Sequence, residues 1–380
     1  MRSASDFKSA YAEGRGWADV AKSLQMQLSG PALGHRLGIL YVTPELALDL
    51  GSILAYLRET TRVPHWVGGA GFGVLGLTAD GIAREARGKP AAGVLTMAIE
   101  TSAFRIFTFQ GRELGRVKSV LAKWSKIDRA PLTALVHADP FNPQVPLLVE
   151  GFSAASDGYL VGGLTYRPEK KMAEFKSQLA DKPVGGGLAG LLLAPHVPLA
   201  VGATQGVVPL GGWHEITEGE GSDILRLDGR PATEVLKEEA GDLQAALGFV
   251  HLAVPDSGLD TGAYVVQNLG GIDPVRGKLT ASFQASPGTR VRVVRRDTKA
   301  AEEDLARMIA DVKRRLPGPP KGALLISCIA RGAALFGGPH KEMEQASKAL
   351  GGCPMVGFLA GGEILRNRIQ AHSSVLLAFG

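Results

Sequence analysis

One short pattern recurs three times along this chain, and it restricts the fold more than any other property. An apolar run leads into a helix-like segment, and a second apolar run then ends in paired glycines. The first copy is Leu37-Gly-Ile-Leu-Tyr-Val-Thr43 followed by Pro64-His-Trp-Val-Gly-Gly-Ala-Gly-Phe-Gly73. The second is Leu132-Thr-Ala-Leu-Val-His137, a helix over 144–156, and Tyr159-Leu-Val-Gly-Gly-Leu-Thr165. The third is Ala323-Leu-Leu-Ile-Ser-Cys328, a helix over 341–350, and Cys353-Pro-Met-Val-Gly-Phe-Leu-Ala-Gly-Gly-Glu-Ile364. Short apolar runs bounded by turn residues read as buried strands. A helix between two of them makes a right-handed crossover with parallel strands. The chain is therefore expected to be α/β, with two domains of mixed sheets duplicated from a strand–helix–strand–glycine-turn unit.

The glycine turn would lie at the carboxyl end of each second strand, the edge where open α/β sheets bind ligands. Gly68, Gly69 and Gly71 occupy that edge in the first copy, and Gly361 and Gly362 in the third, with Glu363 in the turn itself. Ser327-Cys-Ile-Ala-Arg-Gly332 ends the neighbouring strand, which brings Cys328, Arg331 and Gly332 to the same place. Arg331 and Glu363 over a glycine floor suit the carboxylate and ammonium of a zwitterion; equally, they suit a salt bridge that locks two loops. Cys328 reads as a buried thiol, with a nucleophile as the alternative.

At 380 residues the chain is long enough for two domains. The polar, turn-rich stretch Gly219–Gly229 is the expected boundary, separating 37–218 from 219–380. Residues 5–28 carry an apolar stripe of Phe7, Tyr11, Trp17, Val20 and Leu24, so 1–36 is expected to be a helical extension. The longest uncharged stretch, Val184–Val208, is interrupted by Pro195 and Pro198 and reads as two strands around a turn, not as a membrane span. Met1-Arg-Ser-Ala-Ser-Asp-Phe-Lys8 lacks the apolar core of a signal peptide, and the two cysteines form no CxxC pair. Both observations point to a reduced, cytoplasmic setting.

The net charge of +5 is mostly scattered. Its densest group, Arg290, Arg292, Arg295 and Arg296, alternates in part with valines and has no interleaved aromatics, so it reads as a wet strand face and not as a nucleic-acid patch. Gly71-Phe-Gly-Val-Leu-Gly76 matches GxGxxG in letters only, because a turn follows it where a dinucleotide site needs a helix. The eight histidines have no metal-ligand spacing, although an axial haem ligand needs only one.

Further ordered blocks are Ala203-Thr-Gln-Gly-Val-Val-Pro-Leu-Gly211, His214-Glu-Ile-Thr217, Leu227-Asp-Gly-Arg-Pro-Ala232, Ser327-Cys-Ile-Ala-Arg331, Val356-Gly-Phe-Leu-Ala-Gly-Gly-Glu-Ile364 and His372-Ser-Ser374. Together, over 37–379, they resemble the FIST family, a bacterial sensory domain. Gln205 and Gly206, in the first block, join the ligand-binding candidates. The resemblance implies a non-enzymatic small-molecule sensor, with an amino acid or similar metabolite as ligand. Its output would pass to a partner protein, because the match uses up the chain. A subset of the family implies the alternative of a haem-binding nitric-oxide sensor acting on a histidine kinase. A third reading is an enzyme that uses Cys328 or Glu363 on a small substrate.

Overall fold

The computed structural model describes residues 6–29, 34–110, 133–156, 158–168, 175–243, 249–255 and 264–380. The chain forms two units. The first holds Met1–Thr204, Leu305–Ile369 and Ser373–Gly380, and the second holds Gln205–Asp304 with Gln370–His372.

In the first unit the pattern appears three times with one connectivity. Copy one is β1 (Phe7–Glu13), α1 (Trp17–Leu28), β2 (His35–Val42), α2 (Leu50–Thr61), β3 (His65–Ala70), the hairpin β4 (Val74–Leu77) with β5 (Ala83–Ala86), and β6 (Ala91–Ala98). Copy two is β7 (Phe104–Gln110), β8 (Thr133–Ala138), α3 (Val145–Ser156), β9 (Tyr159–Leu164), the hairpin β10 (Gln178–Ala180) with β11 (Pro183–Val184), and β12 (Gly187–Leu193). Copy three opens with β13 (Leu199–Thr204), after which the chain passes into the second unit.

That unit contains β14 (Val207–Pro209), β15 (His214–Glu220), β16 (Asp223–Leu227), β17 (Arg230–Pro231), α4 (Ala232–Ala240), β18 (Val250–Pro255), β19 (Tyr264–Asp273), β20 (Lys278–Ala281) and β21 (Arg290–Arg296). The sheet order runs β21-β15-β16-β20-β19-β18, and β18 pairs again with β21, so this sheet closes on itself. Closure removes open edges. Its interior is Ile216, Ile224, Leu227, Leu252, Leu279, Val291 and Val293, with Val235 and Leu236 of α4 packed on it.

The chain returns to the first unit within α5 (Thr298–Arg315). Copy three then continues with β22 (Gly322–Cys328), α6 (Gly332–Phe336), α7 (Lys341–Ala349), β23 (Met355–Ala360), the hairpin β24 (Glu363–Leu365) with β25 (Arg368–Gln370), and β26 (Ser374–Phe379).

Each copy has a parallel pair, β2/β3, β8/β9 and β22/β23, flanked by an antiparallel return strand, β6, β12 and β26. The hairpins are exchanged cyclically. The hairpin of copy one pairs with β23 of copy three, that of copy two with β3 of copy one, and that of copy three with β9 of copy two. Alternation along each first strand explains its near-continuous apolar sequence. Ile39 and Tyr41 enter a core shared by all three sheets, with Leu135, Val161, Leu324, Ile326 and Phe358. Leu40 and Val42 face outward against Val20 and Leu24 of α1 and Ile53 and Leu57 of α2.

Three expectations are corrected. Phe7–Glu13 is a strand paired along its length with β6, and only Trp17–Leu28 is helical. Phe7 and Tyr11, four apart, share a face in a strand as well as in a helix, so that part of the stripe could not separate the two. Residues 6–29 are thus part of copy one and not an extension. Gly68, Gly69, Gly162 and Gly163 lie inside β3 and β9, not in turns. A Cβ on Gly68, Gly162 or Gly357 would come within 2.0, 1.8 or 1.9 Å of the carbonyl oxygen of Leu40, Val136 or Leu325, so close strand approach demands these glycines. Gly219–Gly229 is the β15–β16 hairpin and the turn after it, all within the second unit. Among the described residues, no helix is long and apolar enough to cross a membrane.

Candidate functional site

All seven residues of β22 are buried, and it runs parallel to β23 with Cys328 opposite Ala360. The two strands therefore end together. Beyond them, the Ile329 amide donates to the Ala360 carbonyl at 2.9 Å and the Arg331 amide to the Cys328 carbonyl at 2.8 Å. This turn carries the Arg331 side chain into the interior, where it is 0% exposed and lies over the Phe336 ring. Its Nε and Nη2 reach Glu342 Oε1 at 2.9 and 2.8 Å, and the Ser327 hydroxyl donates to Glu342 Oε2 at 2.6 Å. Glu342 stands in the first turn of α7, where a helix favours negative charge.

Glu363 opens β24 and is also 0% exposed. Its Oε2 accepts from the Ser373 amide at 3.1 Å and the Ser373 hydroxyl at 2.7 Å. Among the described residues, its Oε1 lacks a hydrogen-bond partner of good geometry. Burial pushes this carboxyl well above its ordinary range; the Ser373 hydrogen bonds, the Arg331 charge and the Cys328 thiol pull the other way without outweighing it. Burial thus favours the neutral form of Glu363. The expected Arg331–Glu363 clamp resolves into two arrangements: Arg331 forms its ion pair with Glu342, and Glu363 is held by Ser373. Cys328 is buried beside Glu363, to which its thiol hydrogen-bonds.

The glycines around this edge are packed tightly. Gly332 lies in the left-handed region, and a Cβ there would meet Arg87 Nη2 at 2.1 Å. A Cβ on Gly361 would meet the Phe72 ring at 2.9 Å. Gly361 belongs to a ring of three backbone hydrogen bonds that links the copies where the hairpins cross. The Phe72 amide donates to Leu359, that of Tyr166 to Ala70, and that of Gly361 to Leu164. Gly362 supplies the carbonyl for the Leu164 amide. Gly69 and Gly71 press on Ser177 and Phe358. The structure therefore gathers Cys328, Arg331, Gly332, Gly361, Gly362 and Glu363 at one edge of the first unit. Gln205 and Gly206 belong to the second unit, where both amides donate to Asp304 Oδ2 and Gln205 Nε2 donates to the Tyr264 carbonyl.

Sequence reasoning did not find Glu342, Ser327 or Ser373 as partners at this edge. It also missed the corresponding end of copy two. Counting three residues on from Leu40, Val136 and Leu325 in the matched registers puts Thr43, Asp139 and Cys328 at one position. Asp139 accepts from Arg167 Nη1 at 2.6 Å, the Gly186 amide at 3.0 Å and the Phe141 amide at 2.9 Å.

Models of two family domains match this chain, the FIST N domain over residues 36–230 and the FIST C domain over 232–366. The chain belongs to the FIST family. FIST domains are associated with sensing in signal transduction and form a sensory, non-enzymatic family. Similar curated proteins include Uncharacterized protein Rv0628c of Mycobacterium tuberculosis (strain ATCC 25618 / H37Rv), 30% identical over 243 residues. Uncharacterized protein Mb0898c of Mycobacterium bovis (strain ATCC BAA-935 / AF2122/97) is 30% identical over 248 residues. Each match covers 60% of this FIST chain and 62% of the relative. Among solved structures, the Structure of PurLQS from Thermotoga maritima overlaps at a TM-score of 0.22 and 9% identity, over 100% of this chain and 74% of that one.

His35, His65, His137, His214 and His340 each hydrogen-bond within the protein, to Thr96, Asp181, Tyr41, Asp228 with Glu239, and the Glu85 amide. His372 bonds Asn268, and its ring packs on His251 at a centroid distance of 4.0 Å. His196 lines a cleft of about 260 Å³.

Proposed function

We propose that this FIST chain is a small-molecule-sensing module of the cytoplasm that binds an amino acid or a similar amine-bearing metabolite. A partner protein, such as a histidine kinase, would receive the signal. The observation that carries this reading is Glu363, a carboxyl buried at the paired strand ends, its pKa raised by burial and one oxygen lacking a good partner among the described residues. A positive charge about 4 Å away is worth about 4 kcal/mol at an effective dielectric of 20. That equals roughly three pKa units, enough to ionise Glu363 at neutral pH. An arriving ammonium would thus displace the proton, and the two Ser373 hydrogen bonds would become charge-assisted and stronger. Ser373 directly precedes β26, the return strand of this copy, so the change is felt in the sheet and not only in a loop. The two buried free cysteines support a reducing compartment.

The test is a thermal-shift and calorimetric screen of amino acids and simple amines at pH 7. A true ligand at a hundred times its dissociation constant adds about 2.7 kcal/mol of stability. It also releases a proton, seen as a binding enthalpy that depends on the buffer. Glu363→Gln removes the proton release. The reading fails if no amine-bearing compound stabilises the protein, or if binding occurs with no proton release.

A further inference from the structure

The second unit contains a polar cluster that the sensing reading does not use. His251 on β18 lies directly opposite Asn268 on β19 and opposite Val294 on β21. Arg296 is two residues beyond Val294 on β21 and therefore shares the face of His251. The His372 ring lies against His251 with centroids 4.0 Å apart, and its Nε2 bonds Asn268 Oδ1. His251 is 4% exposed, yet among the described residues neither of its ring nitrogens has a hydrogen-bond partner. Buried polar groups are almost always paired, so an imbalance of this kind points to a missing ligand.

The surrounding charge decides which ligand. Burial and the Arg296 charge hold the His251 imidazole down to about 4. A metal ion would meet the same repulsion from Arg296, whereas an anion relieves it. A single carboxylate has one oxygen for His251 and one to share with Arg296, in addition to the contacts Arg296 already makes. A phosphate dianion would bring more acceptors than these donors satisfy.

We infer that His251 and Arg296, with His372 as one wall, form a binding site for a small carboxylate anion in the second unit. The site stands independently of Glu363. A bound carboxylate accepts from His251 and favours its protonated form.

The experiment is a titration of the full chain, labelled with ¹³C-histidine, with acetate and then succinate at constant ionic strength. Inorganic phosphate and Zn²⁺ serve as separate arms. The expected result is a saturable shift of the His251 ring signals by a carboxylate and a rise of at least one unit in the His251 pKa. Arg296→Gln should weaken binding at least tenfold, and His251→Phe, which keeps an aromatic ring in the space, should abolish it. If His251→Phe does not fold, Arg296→Gln decides alone. A non-saturable shift, unchanged affinity in Arg296→Gln, or saturation by Zn²⁺ or phosphate in place of carboxylates would each overturn the proposal. The first of these would leave only a bridging water at His251.

Discussion

Copies two and three end their parallel strands in the same way and use carboxyl groups there to opposite effect. At the end of β8, Asp139 accepts three hydrogen bonds, one from an Arg167 side chain that is itself 8% exposed. All the groups it touches are donors, so its charge is fully compensated and the arrangement works as a lock. At the end of β22, the corresponding position is Cys328, and the nearby carboxyl is Glu363. Arg331 forms its ion pair with Glu342, and Glu363 is held by two donors from Ser373 and the Cys328 thiol, with burial favouring its neutral form. One duplicated edge has settled into a closed ion pair; the other keeps a carboxyl whose ionisation is still available. A sensor needs the second kind, because a group already satisfied has nothing further to gain from a ligand.

The most severe way to break this comparison is to remove one member of a buried pair. Asp139→Ala deprives the buried Arg167 of its carboxylate, and Arg331→Ala deprives the buried Glu342 of its guanidinium. Each should cost about 3–5 kcal/mol, read as a lower urea midpoint with an unchanged m-value. If either variant melts like the wild type, the corresponding pair is not closed and the contrast between the copies disappears.

A sharper division comes from neutral isosteres. Asp139→Asn discards a charge that three donors serve and should cost roughly 1–3 kcal/mol. Glu363→Gln replaces a group already neutral in the folded state and should change stability by less than about 1 kcal/mol below about pH 4, where the unfolded carboxyl is neutral too. The pH profile carries the same distinction. Glu363 has its pKa raised from 4.5 to about 8 on folding, so the folded protein holds the extra proton between those values. Stability from this group is complete below the lower value and is lost as pH rises towards the upper one, by up to about 1.4 kcal/mol per unit. His251 and His137, held down to about 4 and about 3, act in the opposite sense below 6.5 and cancel between wild type and variant. The wild type should therefore lose stability relative to Glu363→Gln as pH rises across this window. Parallel profiles would mean that Glu363 is ionised in the folded state.

How much of this was legible in the sequence depends on the range of the interaction concerned. The three parallel pairs could be read from local signals: apolar runs such as Leu324–Ser327, helices such as Val145–Ser156, and glycines within or just after each second strand. The glycine pairs were informative but ambiguous. Gly68 and Gly162 answer to a neighbouring carbonyl and not to a turn, and a sequence marks both needs with the same residue. The cyclic exchange of hairpins was not legible, because pairings such as Gly357 with Leu75 lie far apart in the chain and no local rule selects them. The partner of Arg331 was missed for a related reason. Both Glu342 and Glu363 were acids within reach of one strand edge, and only the path of α6 and α7 decides which receives the guanidinium.

The smallest expected effect isolates the position that differs between the copies. Cys328 is buried beside Glu363 and stands where copy two has Asp139 and copy one Thr43. Cys328→Ser replaces a weak thiol donor with a hydroxyl in nearly the same volume, which should alter stability by less than about 1 kcal/mol. Its signature is in the titration. A hydroxyl donating to Glu363 favours the ionised carboxyl, so the loss of stability with rising pH should end at lower pH, and be smaller in total, than in the wild type. Ammonium binding, if it works by ionising Glu363, should then tighten and release less proton at pH 7. A shift of the profile in the other direction would show that the residue at 328 acts on Glu363 through packing and not through a hydrogen bond, and copy three would differ from copy two in shape alone.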